Sequence, residues 1–165
     1  MKRYLPYAAA FLVLVLAAAW WFSPGQVIKR RTLSLLDTLT MEPGEARSGR
    51  ALGSYSLNAL LAPEVELDTP TIGEANGTFD RSELESAYSW LSSNARETRF
   101  KHERFESVTT EGDEGTVVFT LDALVELADR RPVDGHFEVT FRWRRDDLGK
   151  WRLHSASWDQ TGERR

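Results

Sequence analysis

The chain begins with a long apolar segment. No charged residue occurs between Tyr4 and Phe22, and as an α-helix this segment would span roughly 28 Å, close to the hydrocarbon thickness of a bilayer. Aromatic residues lie at both of its ends, as they do where transmembrane helices meet the two interfaces. The pattern predicts that residues 4–22 form a single-pass membrane anchor.

A cleaved signal peptide is the alternative interpretation of this segment. Lys2 and Arg3 provide a basic start, and the alanines at 17–19 could form a cleavage site before Trp20. The length of the apolar run and the tryptophans directly after that site favour the anchor. Basic residues at 29–31 nearly balance those at the start, but the signal-like start favours translocation of the rest of the chain. We therefore expect residues 23–165 to lie outside the cytoplasm.

Helical periodicity begins directly after the apolar segment. Ser23 as N-cap, Pro24 at the first helical position and Gln26 in a capping box predict the start of an amphipathic helix. Its apolar stripe, which ends before Glu42, consists of Val27, Ile28, Leu35, Leu36 and Leu39.

A second helix is predicted from Ala51 to Ala62, where Pro63 ends it. Its apolar face would carry Leu52, Tyr55, Ala59 and Leu60. Val65 and Leu67 then alternate with acidic residues, as in a short strand.

A third helix is predicted after a loop at residues 69–79. Asp80 and Glu83 form a D-x-x-E pattern, which is typical of a capping box. The apolar face of this helix would carry Leu84, Ala87, Tyr88 and Leu91.

From Asn94 onward the hydrophobic period is two residues, which predicts four long strands joined by short turns. The expected strands are residues 98–109, 116–127, 135–145 and 151–158. Phe100 and Phe105 have opposite parity, so a β-bulge is expected between them. The inward residues of the next two strands would be Val117, Phe119, Leu121, Ala123 and Val125, and Phe137, Val139, Phe141 and Trp143.

Composition narrows the functional classes. The 165-residue chain is 41% hydrophobic with eight Phe and six Trp, which is enough for one core. It contains no cysteine, so disulfides and thiolate chemistry are excluded. The formal charge of −4 includes Lys2 and Arg3, so the remainder is more acidic still and nucleic acid is not expected as a partner.

The order of elements resembles the nuclear transport factor 2-like superfamily, also called SnoaL-like or ketosteroid isomerase-like. The resemblance covers residues 27–158. It includes the passage Leu60 to Leu67, which is similar to the family's helix followed by an acidic strand, the capped helix after Gly77, and the closing segment Gly149 to Leu153. It implies an α+β fold in which a curved, mostly antiparallel sheet wraps around helices as a cystatin-like cone, here preceded by one transmembrane helix.

The resemblance implies a conical cavity and often a dimer, but little about activity. Members include ketosteroid isomerase and scytalone dehydratase types of enzyme, polyketide cyclases, and binding modules without chemistry. A proton-transfer enzyme on this scaffold needs an imidazole or carboxylate inside the cone and a group that stabilises an enolate-like oxygen.

His154 is the first candidate, and its direction depends on register. If Phe141 lies opposite His154, the imidazole enters the cone; if Trp143 lies opposite Leu153, it points outward. We favour the second register, because Trp151 and Leu153 form the better core pair.

The other candidates for catalysis are His102 as a base, Tyr55 or Tyr88 as a polarising hydroxyl, and Asp68 at the end of a strand. Two further titratable residues, His136 and Asp122, are expected on the polar outer face of the sheet. The three histidines have no acidic residue at metal-ligand spacing, so we expect no metal and no cofactor.

The sequence therefore predicts a membrane-tethered module that binds a small apolar ligand or a protein partner, and a homodimer through the outer sheet face. The alternative is a lyase or isomerase that acts on a small hydrophobic carbonyl compound in the cone.

Overall fold

The computed structural model describes residues 5–44, 47–69, 76–128 and 130–160, and gives the backbone alone for 5–10, 47–49 and 51–52. In chain order its elements are helices α1 (Leu5–Trp21), α2 (Pro24–Leu39) and α3 (Arg47–Leu60), strands β1 (Leu61–Asp68) and β2 (Gly77–Asp80), helix α4 (Arg81–Asn94), and strands β3 (Ala95–Glu111), β4 (Glu114–Leu127), β5 (Val133–Arg145) and β6 (Trp151–Gln160).

The six strands form one mixed sheet in the order β2-β1-β6-β5-β4-β3. Strands β3 to β6 form the predicted antiparallel meander, and β1 joins it as a parallel neighbour of β6. Strand β2 corrects the predicted loop at 69–79, because Gly77–Asp80 pairs antiparallel with β1. Residues 70–75 of that loop lie outside the described residues. The fold is thus α+β, with helices against one face of the sheet.

The inner face of the sheet has the predicted phase. Val117, Phe119 and Trp143 are fully buried, and Val139 and Phe141 are 2% and 6% exposed. Against these side chains α2 places its buried residues, Ile28, Thr32, Leu35 and Leu36. Hydrophobic burial of this inner face is the main stabilising term of the fold.

Strand β3 contains the expected bulge. Its pairing with β4 shifts between His102 and Arg104, and again between Phe105 and Ser107. Each shift adds one residue to β3 and reverses its alternation. Phe100, His102 and Phe105 therefore share the inner face despite their mixed parity.

Two predicted helix boundaries are wrong. Helix α3 begins at Arg47 and ends at Leu60, and Pro63 lies inside β1 instead of terminating a helix. The sheet accepts this proline because the β1–β6 register breaks between Leu61 and Glu66, so its missing N–H interrupts no ladder there.

The two predicted capping boxes differ in outcome. Ser23 is the N-cap of α2, but it makes no side-chain capping hydrogen bond, so the box with Gln26 does not form. The box of α4 is present, and the backbone N–H of Asp80 donates to Glu83 Oε2 at 2.8 Å. A carboxylate near the N-terminus also suits the helix dipole.

Helix α1 contacts α2. Its described apolar side chains are exposed, for example Phe11 at 69% and Leu14 at 68%. At the corner between the helices, Arg30 donates from Nη1 to the carbonyl of Trp21 at 2.9 Å and stacks on the Trp21 ring. Among the described residues no single helix is long and apolar enough to cross a membrane, and Phe11–Trp21 with Pro24–Leu39 meets that criterion only as a pair bent by 54°.

Candidate functional site: an apolar cavity in the cone

Two adjoining apolar cavities lie between the helices and the inner face of the sheet. Their volumes are about 310 and 270 Å³, and both are lined by Leu39, Phe141 and Trp158. The larger cavity is also lined by Leu36, Phe100, Leu121, Ala123, Val125, Val133, Phe137 and Val139. The smaller is also lined by Leu35, Leu57, Leu61, Val65, Leu67, Leu84, Ala87, Tyr88, Leu91, Leu153 and Ala156.

The position of the larger cavity depends on how α2 meets β3. Thr98 Oγ1 donates to the carbonyl of Leu39 at 2.6 Å, and the N–H of Phe100 donates to Thr40 Oγ1 at 3.1 Å. These bonds hold the C-terminal end of α2 over the start of β3. The larger cavity lies beside this end of α2, and Val133 in its lining is 61% exposed.

Tyr88 is the only titratable side chain among the described lining residues, and its hydroxyl has structural partners. It donates to the carbonyl oxygens of Arg50 at 3.0 Å and Thr38 at 3.2 Å. The phenol thus ties α4 to α3 and α2. Because the hydroxyl is already engaged, polarising a ligand carbonyl would require breaking these bonds.

Tyr55 lies outside the cone, which corrects the predicted face of its helix. Its side chain is 83% exposed, whereas Leu57 and Leu60 of the same helix are buried. Gly53 instead faces Tyr88: a β-carbon at that position would clash with the phenol oxygen. The inward face of this helix therefore includes Gly53, and the face that the sequence pattern assigned to the core through Tyr55 is exposed.

His154 points outward, in the register that the sequence favoured. Trp143 pairs with Leu153, and a shift occurs between Arg142 and Trp143, which leaves His154 as an extra residue on β6. Burial, followed by the charge of Arg144, lowers the pKa of this imidazole. A base here would face the polar side of the sheet and not the cavity.

His102 lies on the inner face. Its ring centroid is 4.0 Å from that of Phe105 and 6.1 Å from that of Phe119. Nε2 is buried and has no hydrogen-bond partner among the described residues. Burial lowers the pKa of His102, so the imidazole is neutral at physiological pH. Its partner across the sheet is Leu121, which lines the larger cavity.

The remaining candidates are far from this arrangement. Asp68 is exposed at the end of β1. His136 pairs with Asp122 on the outer face, and its Nδ1 lies 3.5 Å from Glu103 Oε1. In the part of the chain that the structure describes, no cluster of three His, Asp or Glu residues could hold a metal ion.

Sequence reasoning missed Arg50, whose guanidinium lies between the ends of two helices. The side chain is 8% exposed and donates to the carbonyl oxygens of Glu42 and Ala95 at 2.8 Å each, Arg96 at 3.2 Å and Ser92 at 3.3 Å. These acceptors lie just after α2 and at the end of α4, so the guanidinium holds both helix ends together. A lone arginine carries no periodic signal that could have predicted this role.

Comparison with known proteins identifies the fold of the chain but not a family or an activity. No protein-family model matches the chain, and no curated protein does. A nuclear transport factor 2-like superfamily protein from Salmonella enterica matches with a TM-score of 0.64 at 12% identity, covering 86% of this chain and 93% of that one. A nuclear transport factor 2-like protein from Cytophaga hutchinsonii matches at 0.62 and 17%, covering 85% and 100%.

A third match, at 0.60 and 16% identity, is a provisionally assigned dehydratase of the nuclear transport factor 2-like family from Streptomyces avermitilis; it covers 84% of this chain and 96% of that one. At such identities the likeness shows the fold alone. The chain therefore has the nuclear transport factor 2-like, cystatin-like fold that its element order resembles.

Proposed function

We propose that this protein is a membrane-tethered module that binds a small apolar ligand in the two adjoining cavities and performs no reaction on it. The observation that carries the proposal is the lining, which is aliphatic and aromatic apart from the engaged hydroxyl of Tyr88. Ligand cavities of a few hundred cubic ångströms with few polar groups are typical of small-molecule sites.

The tether rests on α1. Its exposed apolar side chains have no protein surface to cover them in the described structure, and a bilayer would remove them from water. The corner held by Arg30 would set the domain directly beside the membrane. We place that domain outside the cytoplasm, as the signal-like start favours.

The tether and its side can be tested with an introduced thiol. The chain has no cysteine, so Ser82→Cys, on an exposed turn of α4, would be unique. We expect a membrane-impermeant maleimide to label it fully in intact cells and the protein to stay in the membrane after alkaline carbonate washing. Labelling only after lysis would show that the domain lies in the cytoplasm. Release of the protein by carbonate would show that residues 4–22 are not a membrane anchor.

The cavity can be tested by the same chemistry. Val125→Cys places a thiol in the lining of the larger cavity, and Leu124→Cys places one on the opposite face of the same strand. In nanodiscs, we expect an apolar naphthyl maleimide to label the thiol at position 125 faster than an anionic maleimide does. The two reagents should differ much less at position 124, because that face is polar.

Ligand binding should then protect position 125 alone. A neutral aromatic compound such as 2-methylnaphthalene is expected to slow labelling of Val125→Cys in a saturable way and leave Leu124→Cys unchanged. Equal reactivity of both thiols towards both reagents, without protection, would mean that the cavity takes up no apolar ligand.

An enzyme is the second candidate, because His102 faces inward and matched structures include provisionally assigned dehydratases. A lyase or isomerase acting on a carbonyl compound would use this imidazole to remove a proton next to the carbonyl. In D₂O, such a base would exchange the methyl protons of 2-acetylnaphthalene for deuterium. We expect no exchange above the rate given by His102→Gln.

The predicted homodimer through the outer face of the sheet remains a proposal. That face carries charged side chains such as Arg99, Asp122 and Arg142. Association through it would depend on ion pairs and would weaken as salt is added.

A further inference from the structure

A third cavity, of about 390 Å³, lies where the ladder between β1 and β6 is interrupted. Ala62, Pro63 and Glu64, from the interrupted stretch of β1, form part of its wall. Three carboxylates and three guanidinium groups line this cavity, namely Glu64, Asp80 and Asp146, and Arg144, Arg145 and Arg152. It is therefore a polar site whose formal charges cancel, and it shares no lining residue with the two apolar cavities.

The charges of this polar cavity are arranged in like pairs. Glu64 of β1 and Asp80 of β2 are direct cross-strand partners, and so are Arg144 of β5 and Arg152 of β6. Like charges directly opposite each other in a sheet are destabilising. Because the strand order is β2-β1-β6-β5, the carboxylate pair lies on one side of the cavity and the arginine pair on the other. The cavity thus has an acidic side and a basic side.

The two sides do not neutralise each other. Glu64 is exposed and forms no ion pair among the described residues. Arg144 directs Nε and Nη2 to Glu114, and Arg152 directs Nε to Asp146 and Nη1 to a backbone carbonyl of α3. Within the described structure, Nη1 of Arg144 and Nη2 of Arg152 donate to no protein atom. The basic side therefore keeps donors for an anionic group, and the acidic side keeps an acceptor for a cationic one.

We propose that the polar cavity binds a small zwitterion, with its ammonium group against Glu64 and Asp80 and its carboxylate or phosphate against Arg144 and Arg152. A simple anion or cation would satisfy one pair and meet the like charge of the other, whereas a zwitterion satisfies both. The backbones of β1 and β5 are two strand spacings, about 10 Å, apart. Since side chains from both reach into the cavity, the ligand's two charges should be a few bonds apart. The inference does not depend on what the apolar cavities bind.

The test uses His154 as a reporter, because it also lines the polar cavity and the chain has only three histidines. The full chain, in phosphatidylglycerol nanodiscs at constant pH, is titrated with 4-aminobutyrate, butyrate and butylamine while the Cε1–H resonances of the histidines are followed by NMR. Butyrate and butylamine each keep one charge of 4-aminobutyrate. We expect 4-aminobutyrate to shift the His154 resonance at about fivefold lower concentration than either, because it forms both ion pairs. The resonances of His102 and His136 should not move.

Variants of exposed residues separate the two sides. Glu64→Gln should weaken binding of 4-aminobutyrate about fivefold and leave butyrate unchanged. Arg144→Gln should weaken 4-aminobutyrate and butyrate and leave butylamine unchanged. The matched control is Glu138→Gln, an exposed residue of β5 outside the cavity, which should alter none of the three. Unchanged resonances of His102 and His136 show that each variant is folded.

A fourth probe, glycerophosphoethanolamine, distinguishes the source of the zwitterion, since it is a lipid head group without its acyl chains. Binding at least as tight as that of 4-aminobutyrate would indicate a lipid head group, and weaker binding a free amino acid. Butyrate or butylamine binding as tightly as 4-aminobutyrate, or an unchanged affinity in Glu64→Gln, would overturn the zwitterion assignment. An unmoved His154 resonance with all four probes would show that these charges are merely solvated. None of these results bears on apolar binding, which is measured separately at position 125.

Discussion

Replacing Phe141 with alanine tests the inner face of the sheet and the cavities at once. The ring is 6% exposed and makes edge contacts with Phe119, at 5.1 Å between centroids, and with Trp143, at 6.4 Å. It also lines both cavities, so its removal would join them into one larger space. The surrounding strands are held by ladder hydrogen bonds and can collapse only in part.

The expected cost can be worked out from these contacts. Burying roughly 150–200 Å² at about 25 cal/mol per Å² stabilises by about 4–5 kcal/mol. The two edge contacts add about 1 kcal/mol, and a similar amount is subtracted because cavities already border the ring on two sides. Phe141→Ala should therefore reduce the free energy of unfolding by about 4 kcal/mol, within the range of about 3–5 for such changes.

Arg142→Ala is the matched control on the same strand. Its side chain is exposed on the outer face and has no ion pair with a carboxylate among the described residues, so it should cost under about 0.5 kcal/mol. Urea unfolding followed by far-ultraviolet circular dichroism measures the free energy of unfolding of both variants. If Arg142→Ala were as damaging as Phe141→Ala, the inner face would be wrongly assigned and His136 would turn into the cone.

Three further changes test other parts of the structure. Gly53→Ala should lower the free energy of unfolding in urea by about 2–3 kcal/mol, because its β-carbon would displace the Tyr88 hydroxyl from its acceptors. The control Ser56→Ala, on the exposed side of α3, should leave the free energy of unfolding unchanged. Burial lowers the pKa of His102, so as the pH falls the unfolded chain takes up the proton before the folded chain does. The free energy of unfolding should therefore decrease as the pH falls below about 6.5. The urea midpoint of His102→Gln should depend less on pH below this value. Deleting residues 1–22 should leave a folded domain by circular dichroism, because the buried core residues that the structure describes all lie after them. Aggregation without strand signal would contradict this.

The strands were predictable because their alternation is strong and each inward residue is large. Phe141 and Trp143 each have a polar neighbour on both sides, and Phe119 is followed by Thr120, so only one phase buries all three. The helix at 47–60 was harder, since its inner surface includes Gly53, which carries no hydrophobic signal, while its exposed surface includes Tyr55. A period of 3.6 residues over a weakly apolar segment cannot choose between such faces.

The candidate site was only partly predictable, for a different reason. The opposite parity of Phe100 and Phe105 required a bulge in β3, but the direction of His102 depended on which residue the bulge inserted. The cavities depend on how far the end of α2 stands from the sheet, and Thr98 and Thr40 fix that distance through side-chain bonds to the backbone. Contacts between residues so distant in sequence leave no trace in a local pattern.

The direction in which α2 runs separates the ligand from the bilayer. Helix α1 joins α2 at Pro24, whereas the larger cavity lies beside Leu36 and Leu39 at the other end. The sixteen residues of α2 span about 24 Å, but α2 is bent by 54° from α1. With α1 along the membrane normal, the end of α2 beside the cavity would therefore lie about 14 Å further from the membrane than its start. On the proposed tether, the opening would face the aqueous side of the membrane surface, and a ligand would reach it from water instead of moving sideways out of the lipid.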